Sequence, residues 1–179
     1  MKDNKNISTG VTYGVIIGLI YVLILFFRWS AATNLIKFGL YSFLGYLAIL
    51  VLLCVEAVQR RKLDEGFINL KSLFQTLFIS VLIFELFYSI YTYIHLKYID
   101  PTVADRMREG MQEMFDKVGD QMSDEDKEKA MERMGDIKKV TELPQMIKSY
   151  LSSVAITGVF ALIISAIVKK KKPVFEEVN

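Results

Sequence analysis

The chain has 179 residues, of which 53% are hydrophobic and 23% charged, with a formal net charge of +2 and one cysteine. A single cysteine, Cys54, excludes an intramolecular disulfide or a CxxC metal site, and so small a net charge offers nucleic acid no basic platform. Apolar residues stand in unbroken runs rather than at helix or strand period, which excludes an ordinary soluble domain.

Four runs, at about residues 10–27, 35–58, 74–96 and 149–168, are long and apolar enough to cross a bilayer. A hydrocarbon core about 30 Å thick needs about 20 helical residues. The expected fold is therefore an all-α, integral membrane four-helix bundle. Charges inside the runs are few: Lys37 and Glu56 near the two ends of the second, and Glu85 alone at the middle of the third. The first run follows Lys2 and Lys5 as a signal peptide would, but it is long and Arg28-Trp29-Ser30 succeeds it without a small-residue cleavage site. It is read as a retained span.

Orientation follows from lysine and arginine in the short connections. Lys2 and Lys5, then Arg60, Arg61, Lys62 and Lys71, then Lys169 to Lys172 fall on one side, against Arg28 and Lys37 on the other. Both termini and the 59–73 link are expected on the cytoplasmic side of a multi-pass protein. Trp29 and Tyr93 are expected in the outer interfacial belt.

Residues 97–148 hold 10 basic and 13 acidic side chains, a net of −3, and by this topology lie outside. Val103, Met107, Met111, Met114, Phe115, Val118 and Met122 recur there at helical spacing. Asp100-Pro101 ends the preceding helix and starts the next, and Gly119-Asp120 closes it. Ser123 with Asp126 resembles a capping box for a second helix running to about Met134 and ended by Gly135. Glu142-Leu143-Pro144 leads into the fourth span. The expectation is an extracytoplasmic helical hairpin, giving three parts: 1–96, 97–148 and 149–179. Its methionine stripe is read first as packing, then as an adaptable docking surface for a partner through residues 101–140, and last as a Cu(I) cluster.

Small residues mark helix contacts. Gly10, Gly14 and Gly18 stand four apart in the first span, and Ser149, Ser153, Thr157, Ala161 and Ser165 in the fourth, with Gly39, Ser42 and Gly45 in the second. Such spacing lets backbones approach closely in lipid, within one chain or across a homo-oligomer.

Glu85 is the leading candidate for function. A midplane carboxylate is expensive and usually faces protein or water. Tyr88, Ser89, Thr92 and His95 lie near its side of the helix, and no lysine or arginine shares its depth, which favours a neutral, hydrogen-bonded acid. Three readings stand: a structural link between helices, a proton- or cation-handling site, or a binding group for an amphipathic ligand. No metalloprotease, nucleophile-elbow or phosphate-loop motif occurs, so neither an enzyme nor a cofactor is expected.

Taken in order, four segments resemble a known family: Arg60 to Lys71 with its Gly66-Phe67-Ile68-Asn69, Tyr91 to Pro101 with its Ile99-Asp100-Pro101, Ser123 to Glu132, and Ile163 to Pro173. They are similar to the bacterial membrane proteins of domain-of-unknown-function family 4199, over about residues 10–173. The resemblance implies a four-span envelope protein and no activity. The function expected is a non-enzymatic accessory or interaction protein, with the bilayer and a membrane or periplasmic protein as partners. A small oligomeric transporter or channel subunit with Glu85 on its path is the alternative.

The charge asymmetry predicts a labelling pattern. In a Cys54→Ser background, Gln112→Cys should react with an impermeant thiol reagent added outside and Phe175→Cys should not. The reverse pattern would overturn the orientation.

Overall fold

The computed structural model describes residues 2–118, 123, 125–129 and 141–170. Among the described residues the helices longer than ten residues are α1 (Lys2–Ser30), α2 (Leu35–Lys62), α3 (Leu70–Ile94), α4 (Val103–Val118) and α5 (Leu143–Val168). A π-helical turn, His95–Ile99, prolongs α3. Four segments are long and apolar enough to span a membrane: Asn4–Ser30, Leu35–Lys62, Leu70–Ile99 and Leu143–Val168. Among the described residues no strand occurs, only an antiparallel bridge between Ile68 and Lys170. The chain is an all-helical four-span membrane protein.

The outer faces of α1, α2 and α5 carry exposed Leu19, Leu23, Phe43, Leu151, Ile156 and Ile163, as helices against lipid require. The third span is the most enclosed: 44% of its most apolar window is buried, against 33%, 17% and 28% for the other three. It forms the centre of the bundle, and its largest interface is with α1.

That interface is close because of glycine. A Cβ at Gly10 would stand 2.6 Å from the Thr76 carbonyl oxygen, one at Gly14 2.8 Å from Ile83 Cβ, and one at Gly18 2.8 Å from Phe87 Cγ. In the fourth span Thr157, Ala161 and Ser165 are buried, while Ser149 and Ser153 are half-buried. Gly45 lies against Ile24 of α1, but a Cβ at Gly39 would meet nothing within 4 Å. Gly39 therefore takes no part in packing within the chain.

Each end of the bundle is tied off. Asn34 and Asn69 cap α2 and α3, their side chains accepting from Lys37 N (3.0 Å) and Ser72 N (2.8 Å). The link between α2 and α3 turns through Glu65 (φ 58°) and Gly66 (φ 85°). Ile68 then exchanges two backbone hydrogen bonds with Lys170, at 2.9 and 3.1 Å, and Arg61 donates to the Val168 carbonyl (3.2 Å). We call this the basic end. At the other, the α4 end, Asp100 accepts from both Thr102 groups and pairs with Arg106. Burial opposes charge on Asp100, yet the Thr102 hydrogen bonds and the Arg106 guanidinium outweigh it and hold the carboxyl below its usual range.

α4 is the first arm of the expected hairpin. It lays Val103, Met107 and Met111 inward, all buried, so this part of the methionine stripe packs within the chain. Ser123 Oγ accepts from Asp126 N (3.2 Å) and donates to the Asp126 carboxylate (2.7 Å), and residues 125–129 are helical. The rest of the expected second arm, with Gly119, Met122, Met134 and Gly135, lies outside the described residues. Trp29, at the end of α1, is buried and stacked on His95 with ring centroids 5.8 Å apart.

The glycine seam sets a stability test. Gly14→Leu should overpack the α1–α3 contact and cost about 1–3 kcal/mol, read as a lower melting temperature in detergent. Gly39→Leu should melt as wild type. Equal melting of the two would show that the seam is not the close contact.

Candidate functional site

α3 buries polar side chains at intervals along its length, between the equally buried Leu73, Leu77, Val81 and Phe84. Thr76, Ser80, Glu85, Ser89, Thr92 and His95 are all buried. At about 100° per residue, Glu85, Ser89, Thr92 and His95 gather on one side of the helix, while Thr76 and Ser80 lie roughly opposite. From Gln75 to His95 this column climbs about 30 Å at ~1.5 Å per residue, the thickness of a hydrocarbon core.

At the basic end the column begins in a network between helices. Arg60 is fully buried, its Nε and Nη2 donating to Asn6 Oδ1 at 3.1 and 2.5 Å, while Nη1 stands 3.0 Å from Asp64 Oδ1. Asn6 in turn donates to Gln75 Oε1 at 3.1 Å. One asparagine thereby joins α1, α2 and α3. A turn deeper, Glu56 is fully buried and faces the Ser80 hydroxyl. Neither Glu56 oxygen nor Ser80 Oγ closes a hydrogen bond of good geometry.

Glu85 lies at the middle of the third span and is 3% exposed. Its Oε1 accepts from Thr157 Oγ1 of α5 at 2.7 Å, and its Oε2 has no hydrogen-bond partner. Tyrosines surround it. Tyr21 stacks on Tyr88 at 5.4 Å, Tyr150 donates to the Leu82 carbonyl at 3.1 Å, and Tyr21, Tyr46 and Tyr150 lie within electrostatic range of the carboxyl.

Above Glu85 the column continues through Ser89 and Thr92 to His95, whose Nδ1 lies 3.2 Å from the Tyr91 hydroxyl. Thr92 Oγ1 and His95 Nε2 are buried without partners. The π-helical turn starts at His95, a local widening found often at functional positions. A cavity of about 260 Å³ opens beside this end, with Tyr88 and Ser89 among its walls.

Glu85, Tyr88 and His95, singled out in the sequence, thus share one interior column, with Tyr88 half-buried. Thr157 was expected as a small packing residue and is also the partner of Glu85. Sequence reasoning missed Asn6, Gln75 and the burial of Glu56 and Arg60. The recurrence of Thr76, Ser80, Glu85, Ser89 and Thr92 at three- to five-residue steps was the available signal.

A family model described as "Protein of unknown function (DUF4199)" matches residues 12–170. The chain belongs to this family. No curated protein and no solved structure matches it. The DUF4199 match runs from α1 to the Ile68–Lys170 bridge, so it includes the column from Thr76 to His95.

Thr157 and Glu85 should couple measurably. A double-mutant cycle of Thr157→Val and Glu85→Ala should return about 1 kcal/mol, inside the ~0.6–1.7 kcal/mol measured for intramembrane hydrogen bonds. Denaturation in mixed micelles reads it. Strict additivity would show that the bond contributes nothing to the fold.

Proposed function

We propose that this protein moves protons across its membrane through the bundle interior, with Glu85 as the group that takes up and releases them. The carrying observation is a series of buried groups spread over about 22 Å of the bundle interior, Glu56 on α2 and Ser80, Glu85, Thr92 and His95 on the third span, that keep a polar atom without a hydrogen-bond partner. A merely structural network would close these bonds, because a buried unpaired polar atom is costly. Groups that must exchange a proton need an open position.

Protons suit the geometry better than a bound metal ion does. The two buried acids, Glu56 on α2 and Glu85 on α3, stand apart rather than gathered as a ligand set. Axial steps of about 4.5–6 Å separate Glu85, Ser89, Thr92 and His95, lengths that one bridging water or a side-chain rotation closes. One chain encloses the column, so the reading needs no second copy. Both termini are taken as cytoplasmic, from the lysine and arginine distribution.

An accessory role drew on the methionine stripe as a docking face. Val103, Met107 and Met111 pack inside the chain, which leaves a partner the charged face of α4, with Arg108, Glu109 and Glu113 exposed. That support is weaker than a column across the membrane. The reading remains non-enzymatic in either case.

Flux decides it. Purified protein in liposomes holding a pH-sensitive dye should pass protons under a potassium diffusion potential. Glu85→Gln, which keeps an acceptor for Thr157, should fall to the level of protein-free vesicles with its helicity unchanged. Wild-type vesicles no leakier than empty ones, under either sign of potential, would retire the proposal.

A further inference from the structure

We infer that the cavity at the α4 end binds an amphiphile with one compact anionic head group, carboxylate or phosphate, and an apolar chain. The cavity collects donors that have nothing to donate to. Arg28 Nε, Trp29 Nε1 and Thr92 Oγ1 are each buried without a hydrogen-bond partner, and all three residues line the cavity. Arginine and indole nitrogens can only donate. Trp29 and Thr92 are 4% and 5% exposed, so these are interior groups rather than surface ones. Three unanswered donors around one space are complementary to an anion.

Arg28 supplies the charge. Among the described residues its side chain has no ion pair or hydrogen bond, and its guanidinium is held by two rings, 4.7 Å from the Trp29 centroid and 4.9 Å from that of Phe38. Stacking on ring faces leaves the edges of the fork, where carboxylate and phosphate bind. A cation fixed in this way at the end of a membrane span, without a carboxylate, has its charge uncompensated in a medium that makes charge expensive.

The remaining wall is apolar, through Phe38, Leu96, Met107 and Met146. Methionines shape themselves to flexible chains. At about 260 Å³ the cavity is slightly smaller than typical small-molecule sites of ~300–1,000 Å³. It has room for a head group and the first carbons of a chain, not for a whole lipid. This inference does not rest on the proton reading, since its readout is binding.

Trp29 is the sole tryptophan and lines the cavity, so its fluorescence reports occupancy. Protein in non-ionic detergent is titrated with dodecanoate brominated near its carboxyl. Saturable quenching is expected, reversed by unlabelled dodecyl phosphate and unaffected by inorganic phosphate. Arg28→Gln should weaken it ~10- to 100-fold, the loss of one charge-assisted hydrogen-bonding group, and Arg28→Lys less. Ser149→Phe, which fills the cavity from α5 and keeps Arg28, should also abolish saturation and decides the matter if Arg28→Gln does not fold. Non-saturating quenching, equal quenching by a brominated dodecylphosphocholine, or an unchanged folded Arg28→Gln would overturn the inference. Competition by inorganic phosphate as strong as by dodecyl phosphate would also overturn it, because the site would then take a free anion.

Discussion

Polar side chains cannot be left against hydrocarbon, and α3 carries them at intervals from end to end and on more than one side. Each unsatisfied polar group facing lipid costs several kcal/mol, so the other spans must wrap α3 before anything else in the bundle is settled. The glycine seam is how α1 does so. With Gly10, Gly14 and Gly18 against Thr76, Ile83 and Phe87, α1 comes close enough to seal one flank without a side chain between the backbones. α5 seals another with Thr157, Ala161 and Ser165, and α2 a third with Ile49, Leu53 and Glu56. Hydrophobicity contributes little to this choice, because lipid is as apolar as leucine.

The wrapping holds only if the helix ends stay in register, and the two end structures do that by different means. At the basic end four consecutive residues each do a separate job. Gly66 takes the positive φ of the turn, the Phe67 ring lies under the Lys170 ammonium at 5.5 Å, Ile68 bridges to Lys170, and Asn69 caps α3. The last turn of α5 is thereby fastened to the start of α3, although more than seventy residues separate them in sequence. At the α4 end Asp100 turns the chain and clamps Arg106, which seats α4 over the helix ends.

How far the sequence disclosed this depends on the range of each interaction. The spans were legible because bilayer thickness is a local ruler, and Glu85 because a single charge in an apolar run is conspicuous. The glycine seam was legible as a pattern, but its partner was not, since four-residue spacing says that a backbone approaches without saying which. Arg60 was read as a topology signal, which its position beside Arg61 and Lys62 encourages; only tertiary contact with Asn6, 54 residues away, reveals it as a buried interior cation. Glu56 looked like a boundary charge for the same reason. Trp29 was placed in the interfacial belt from its type and the topology, and its stacking on His95, at the start of a π-helical turn, is a tertiary contact that no periodicity announces.

Apart from Arg60 Nη1, a donor at the basic end that pairs with Asp64, the unanswered interior atoms divide by hydrogen-bonding character along the bundle. Toward the basic end and the middle, the unanswered atoms include the carboxyl oxygens of Glu56 and Glu85, which accept; at the α4 end they include Arg28 Nε and Trp29 Nε1, which donate. A network built only for stability would mix the two and let them answer each other. Here the separation runs along α3, with Tyr88 and Ser89 at the join and hydroxyls on both sides that can serve in either sense. A proton relay calls for acids in the first region, and an anionic head group calls for donors in the second. The two regions draw on different helices, Glu56 of α2 and Glu85 of α3 in the first, Arg28 and Trp29 of α1 with Thr92 of α3 in the second, and the close α1–α3 seam helps keep both out of lipid.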